Sequence, residues 1–172
     1  MPLGGGPGGR ERFALFRADD RLLHGQVALA WGRQLRPRSY LLIDDALAAD
    51  PASSEIYQLS APGDCAVAVL SLAEMLGSAP LRFPARETVL LVRDLAGAAR
   101  LLRGGIPGPL NLGGIHVHPG ARQILGFLFL TPEEEALLAE LVCEGHEVYA
   151  QDLPQNPRQE AGHWLTGRGR AR

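Results

Sequence analysis

The residues best suited to chemistry in this sequence stand together in FRADDRLLHGQVALAW, Phe16 to Trp31. Two acids, Asp19 and Asp20, precede Arg21; two leucines follow, then His24, Gly25 and Gln26. A short apolar run, Phe13 to Phe16, leads in. A helical pattern leads out, with Val27, Ala30, Trp31 and Gln34 placed around 3.6-residue turns. A histidine at the start of a helix sits beside backbone N–H groups that have no partner within the helix, and beside the positive end of the helix dipole. That setting holds an anion such as phosphate and favours the neutral, nucleophilic form of an imidazole. Arg21 can fork onto phosphate oxygens. Asp19 or Asp20 can orient Arg21 or the imidazole, and Gly25 lets the backbone come close to a ligand. These are the parts needed to receive a phosphoryl group on nitrogen. The same residues also fit a solvated turn with a surface ion pair, contributing at most about 1 kcal/mol, beside a histidine that only caps a helix or fills the core.

The elements that must position these residues alternate along the chain. Phe13 to Arg17 reads as a strand, residues 26–35 as a helix and SYLLID as a buried strand ending in Asp44 and Asp45. Asp50-Pro51 opens a helix reaching about Leu59. CAVAVLS is a strand, LAEMLG a short helix closed by Gly77, and ETVLLVR a strand. The helix of DLAGAARLLRGG is capped at Asp94 and ended by Gly104-Gly105. PLNLGG is a short strand running into a glycine turn, and QILGFLFL reads as one further strand. TPEEEALLAELVCEG is a helix with Thr131 as N-cap, Pro132 next and three acids in its first turn. HEVYAQ is the last strand. This alternation predicts a single α/β domain, doubly wound, whose mostly parallel sheet carries helices on both faces. Sites in such sheets form at the carboxyl ends of strands. Asp19 to His24, Asp44-Asp45, Ser71, Arg93-Asp94 and Asn111 to Gly114 are therefore the candidates for one shared site.

Composition narrows the classes. The 172 residues suit one domain, and 46% hydrophobic with 21% charged residues marks a globular chain. A net charge of -2 offers no basic field for nucleic acid. All 17 basic residues are arginine, which reflects coding bias and carries no chemistry. The two cysteines, Cys65 and Cys143, lie in apolar surroundings and read as small buried residues. With no spanning-length apolar run and no targeting pattern, a cytoplasmic protein is expected. The spaced glycines of MPLGGGPGGR precede the first strand, so they form no dinucleotide loop, and without lysine there is no P-loop. His116 and His118 could share a metal on one side of a strand, but no third ligand stands nearby, and a place at the rim of the site is expected instead.

RADDRLLHGQVALAW resembles the N-terminal signature of the IIB component of the bacterial phosphotransferase system, mannose–fructose–sorbose family, Arg-x-Asp-Asp-Arg-Leu-Ile-His-Gly-Gln-Val, with Leu23 in place of the usual isoleucine. Further blocks resemble the family in order: LLIDDALAADP, LSAPGDCAVAVLSLAEM, LNLGGIHVHPGARQIL and LTPEEEALLAELVCEGHEVYAQDLPQ. The likeness covers residues 13–157, leaving residues 1–12 as a disordered glycine-rich extension and 158–172 as a flexible tail. Residues 154–156 and the segment His116 to Pro119 depart from the family pattern.

The resemblance implies a phosphohistidine–sugar phosphotransferase. His24 would be phosphorylated at Nδ1, taking the group from a IIA partner and passing it to a sugar held by the membrane components IIC and IID. Arg21, Gly25, Gln26 and Ser71 would bind the phosphoryl group, Asp19 and Asp20 would order the loop, and Gly113 and Gly114 would border the site. The scheme needs no metal and no cofactor. It implies a cytoplasmic protein attached peripherally to the IIC/IID complex, and the family forms homodimers in some contexts. Two other readings remain at this level: a regulatory phosphocarrier that delivers no sugar, and a non-catalytic α/β module that binds an anion or nucleotide.

Overall fold

Strict alternation of side chains along the central strands decides how this chain packs. In β1 (Leu15–Ala18), β2 (Ser39–Ile43) and β4 (Thr88–Val92) nearly every residue is buried, as expected of strands covered on both faces. Phe16, Ala18, Leu41, Ile43, Leu90 and Val92 point into one core, and Leu15, Tyr40, Leu42, Val89 and Leu91 into the other. The computed structural model describes residues 10–77 and 81–166. The expected disorder of the first residues therefore falls mostly outside the described residues, as does the end of the tail.

The remaining strands of the main sheet are β3 (Ala66–Leu70), β5 (Leu110–Leu112), β8 (Val148–Ala150) and β9 (Gln159–Glu160). The order is β3-β2-β4-β1-β5-β8-β9, parallel except where β9 meets β8. One core is closed by α4 (Leu72–Leu76), α5 (Leu95–Arg103), α6 (Pro132–Cys143) and α7 (Ala161–Thr166). The other is closed by the helix after β1, by α2 (Asp45–Ala48) and by α3 (Pro51–Leu59). The expected doubly wound α/β sheet is what forms, with β1 at its centre.

The helix after β1 begins irregularly. A π-helical stretch, Val27–Trp31, closes with the Gly32 N–H donating to the Val27 carbonyl and continues into α1 (Gly32–Leu35). Such turns cluster at functional sites.

Four expectations need correction. The cysteines are not both buried: Cys65 is only half-buried and Cys143 is exposed. QILGFLFL is not one strand but a hairpin, β6 (Arg122–Leu125) and β7 (Leu128–Leu130), paired antiparallel outside the main sheet. Gly126 supplies the turn, and burial of Leu128 and Leu130 on one side fixes the register. A short helix, α2, interrupts the loop after Asp44. The segment expected to be a flexible tail is built into the fold as far as Thr166: β9 extends the sheet, and α7 seats a fully buried Ala161.

Candidate functional site

Sequence position, strand pairing and burial bring a single polar network to the carboxyl end of β1. Arg17 faces the core in mid-strand, its side chain 0% exposed. A buried guanidinium must spend its donors on protein groups. Nε and Nη2 donate to Asp19 Oδ2 at 3.1 and 2.9 Å. Nη1 donates to Asn111 Oδ1 at 2.5 Å and to the Gln151 carbonyl at 2.9 Å. The register makes this possible, since Arg17 and Asn111 are partners across β1 and β5. Trp31 from the π-helical stretch lies 5.7 Å from the guanidinium and donates its indole N–H to the Asp152 carbonyl.

Asp19 is fully buried and shares its two oxygens between structure and site. Oδ2 accepts from Arg17 and from the Gly114 N–H at 3.2 Å; Oδ1 accepts from the Arg21 N–H at 3.3 Å and lies 3.2 Å from His24 Nε2. Burial alone would raise the Asp19 pKa, but the His24 hydrogen bond and the Arg17 charge outweigh it and hold the carboxyl below the ordinary carboxylate value. An ionised carboxylate only accepts, so the proton of a neutral His24 sits on Nε2 and the lone pair on Nδ1. Among the described residues Nδ1 has no hydrogen-bond partner.

The loop between Asp19 and His24 is bent so that its leucines go inward and its polar groups outward. Leu22 takes a left-handed backbone, φ 55, closed by its N–H on the Asp19 carbonyl. A leucine there costs on the order of 1–3 kcal/mol, which burial of the side chain offsets. Leu23 is buried beside it. Arg21 is left 46% exposed, its Nε 4.0 Å from Asp19 Oδ1 and its Nη2 donating to Gln26 Oε1 at 3.2 Å. The helix behind them starts with no side-chain cap, and Gly25 opens onto space where a Cβ would meet nothing within 4 Å.

Gly113 and Gly114 lie beside this loop, and close packing requires glycine at Gly113. The Gly113 N–H donates to the Ala18 carbonyl, and the Asp20 N–H donates to the Gly114 carbonyl. A Cβ on Gly113 would stand 2.1 Å from Arg17 Cζ, so only glycine admits the buried guanidinium. Asp20 turns to the other side of the loop, to His116.

Ser71 is not brought to this loop. It follows β3, three strands from β1 and roughly 14 Å away at ordinary strand spacing. Its hydroxyl is occupied in a capping box with Glu74 at the start of α4. Asp44 and Asp94 likewise cap α2 and α5. Arg93 touches both Asp44 and the Asp20 carbonyl, so it links the second strand end to the first loop. The residues that sequence reasoning gave no role are Arg17, Trp31 and Gln151. Their one available signal was an arginine inside an otherwise apolar strand.

The geometry therefore offers an oriented imidazole with a free nitrogen, an exposed guanidinium beside it, and an uncapped helix start. Comparisons with known proteins show what the whole chain resembles. The family profile described as "PTS system sorbose subfamily IIB component" matches residues 13–170. The N-acetylgalactosamine-specific phosphotransferase enzyme IIB component 2 of Escherichia coli (strain K12) is 26% identical over 144 residues, covering 83% of this chain and 92% of its own. The mannose-specific EIIAB component of the same strain is 25% identical over 156 residues, covering 89% of this chain, which spans about half (48%) of that relative. The crystal structure of manxB from Thermoanaerobacter tengcongensis superposes with a TM-score of 0.79 at 29% identity, covering 90% of this chain and 95% of that one.

Proposed function

The chain belongs to the sorbose subfamily of phosphotransferase-system IIB components, phosphocarriers that take a phosphoryl group from IIA and transfer it to sugar, and on that premise we propose that His24 is the residue that carries the group, on Nδ1. The observation that carries this reading is the 3.2 Å contact of Nε2 with buried Asp19, which leaves the Nδ1 lone pair to attack. In the first transfer that lone pair forms a bond to phosphorus as the N–P bond of the donor's phosphohistidine breaks. The positive charge gained by the His24 ring is met by Asp19 through Nε2–H. In the second, a sugar hydroxyl oxygen bonds to phosphorus as the His24 N–P bond breaks and its electron pair returns to Nδ1, the hydroxyl proton passing to water. Arg21 and the N–H groups at Gly25 and Gln26 stabilise the charge on the loosely held phosphoryl oxygens. Gln26 sets the Arg21 fork, and Asp19 and Asp20 hold the loop.

The donor is a IIA protein, a pairing supported by the EIIAB relative. The acceptor sugar is held by IIC and IID, with this chain docked on their cytoplasmic side. No helix among the described residues is long and apolar enough to cross a membrane. The test is intact-mass measurement after incubation with phosphoenolpyruvate, the general phosphotransferase proteins and IIA. One added phosphoryl group, lost in His24→Ala, is expected. No added mass, or mass that survives the substitution, overturns the reading.

A further inference from the structure

His116 was expected only at the rim, yet the structure ties it to the first loop as closely as His24. Its backbone N–H donates to Asp20 Oδ2 at 2.7 Å, and its Nδ1 lies 2.8 and 3.0 Å from the two Asp20 oxygens. Consecutive carboxylates thus hold two imidazoles by opposite nitrogens: Asp19 takes His24 by Nε2, and Asp20 takes His116 by Nδ1. The His116 ring is about half-exposed, and among the described residues its Nε2 has no hydrogen-bond partner.

Gly114 shows where that ring stands. A Cβ placed there would be 3.2 Å from His116 Cε1, 3.4 Å from Arg21 Nη2 and 3.6 Å from Asp19 Oδ1. Imidazole, guanidinium and the carboxylate that orients His24 therefore surround one small space kept clear by a glycine. Cε1 is bonded to both ring nitrogens; Nδ1 is taken by Asp20, and the unpartnered Nε2 stands one bond from the atom that nears Gly114. With charge-assisted hydrogen bonds of about 2.8 Å, a single phosphoryl group can accept from the guanidinium and from a protonated imidazole together.

We infer that His116 is a second phosphoryl-binding side chain, whose Nε2–H donates to an oxygen of the group that Arg21 also holds. Asp20 fixes the ring by Nδ1–H, so in the imidazolium form Nε2–H is the donor presented outward. The inference rests on the phosphoryl site proposed above but not on transfer to His24, because the anion site exists before any N–P bond forms.

The experiment uses inorganic phosphate as probe and follows 15N resonances of the His116 imidazole and Arg21 guanidinium. Both are expected to move along one binding curve. His116→Ala and His116→Gln should each weaken phosphate binding about tenfold, His116→Lys should restore much of it, and His118→Ala should leave it unchanged. Unaltered thermal unfolding of His116→Gln separates lost binding from lost fold. The inference is overturned if wild-type protein binds no phosphate, if the His116 signals stay still while those of Arg21 move, or if His116→Ala binds as wild type. If phosphate moves both residues and His24 still takes no group from IIA, the carrier reading falls and this one stands. If His24 is phosphorylated and His116 is unperturbed, the reverse holds.

Discussion

Four parallel strands of this sheet hand over to helices, and the handover after β1 is built unlike the other three. After β2 the Asp44 carboxylate accepts from the Leu47 N–H at 2.7 Å. After β4 Asp94 accepts from the Gly97 N–H at 2.7 Å, and after β3 Ser71 and Glu74 close on each other. Each of these ends spends its own oxygen on its own helix. After β1 the acids turn away. Asp19 goes to Arg17 and His24, Asp20 goes to His116, and the helix start keeps its N–H groups free of any side-chain cap. Four strand ends with similar composition thus divide into three closed helix starts and one open to an anion. The difference lies in where the carboxylates point.

The largest test of that division is Asp19→Ala. It strands the buried Arg17 guanidinium, and loss of one partner of a buried pair costs about 3–5 kcal/mol. Urea denaturation should show that loss, accompanied by failure of phosphoryl transfer; a loss under about 1 kcal/mol would mean the carboxylate serves the site alone. Arg21→Ala comes next and should separate the two roles. Transfer should slow by roughly 100-fold, with stability within about 0.5 kcal/mol of wild type, because the side chain is exposed. Ser71→Ala should do the opposite at the closed end. It removes an N-cap worth about 1 kcal/mol and leaves the transfer rate as it was; a slowed rate would return Ser71 to the site.

How far these contrasts could be read from the sequence depends on what fixes them. The handover at His24 was legible because its chemistry is local: histidine, arginine and helix start lie within six residues. The caps at Asp50, Asp94 and Thr131 were legible for the same reason, and the structure places all three as read. Ser71 was misjudged because strand order is a long-range property. Nothing in CAVAVLS says that β3 goes to the edge, three strands from β1. Arg17 was passed over because its meaning appears only when β5 lays Asn111 beside it and the chain returns with Gln151. The hairpin in QILGFLFL was hidden by continuous hydrophobicity, which masks a turn carried by one glycine.

The smallest effect concerns the loop that brings His116 to Asp20. Two residues on, His118 Nδ1 meets the His116 carbonyl at 2.9 Å and Nε2 meets Glu134 Oε2 at 3.0 Å. Both partners only accept, so both nitrogens are called on to donate. The carbonyl first, then the carboxylate, raises the His118 pKa above its ordinary value. Glu134 Oε2 also accepts the Thr131 N–H in the capping box of α6, so this loop is fastened to a helix start that is itself closed. A pKa raised by folding adds stability that is complete below the unfolded imidazole value and fades as pH climbs through the folded one. Wild-type protein should therefore lose a little stability just above the ordinary imidazole range, and His118→Gln should be flatter there. Denaturation midpoints across that window decide it. Parallel curves would leave Glu134 as a helix cap alone, and the loop would owe its place to Asp20 and the glycine turn.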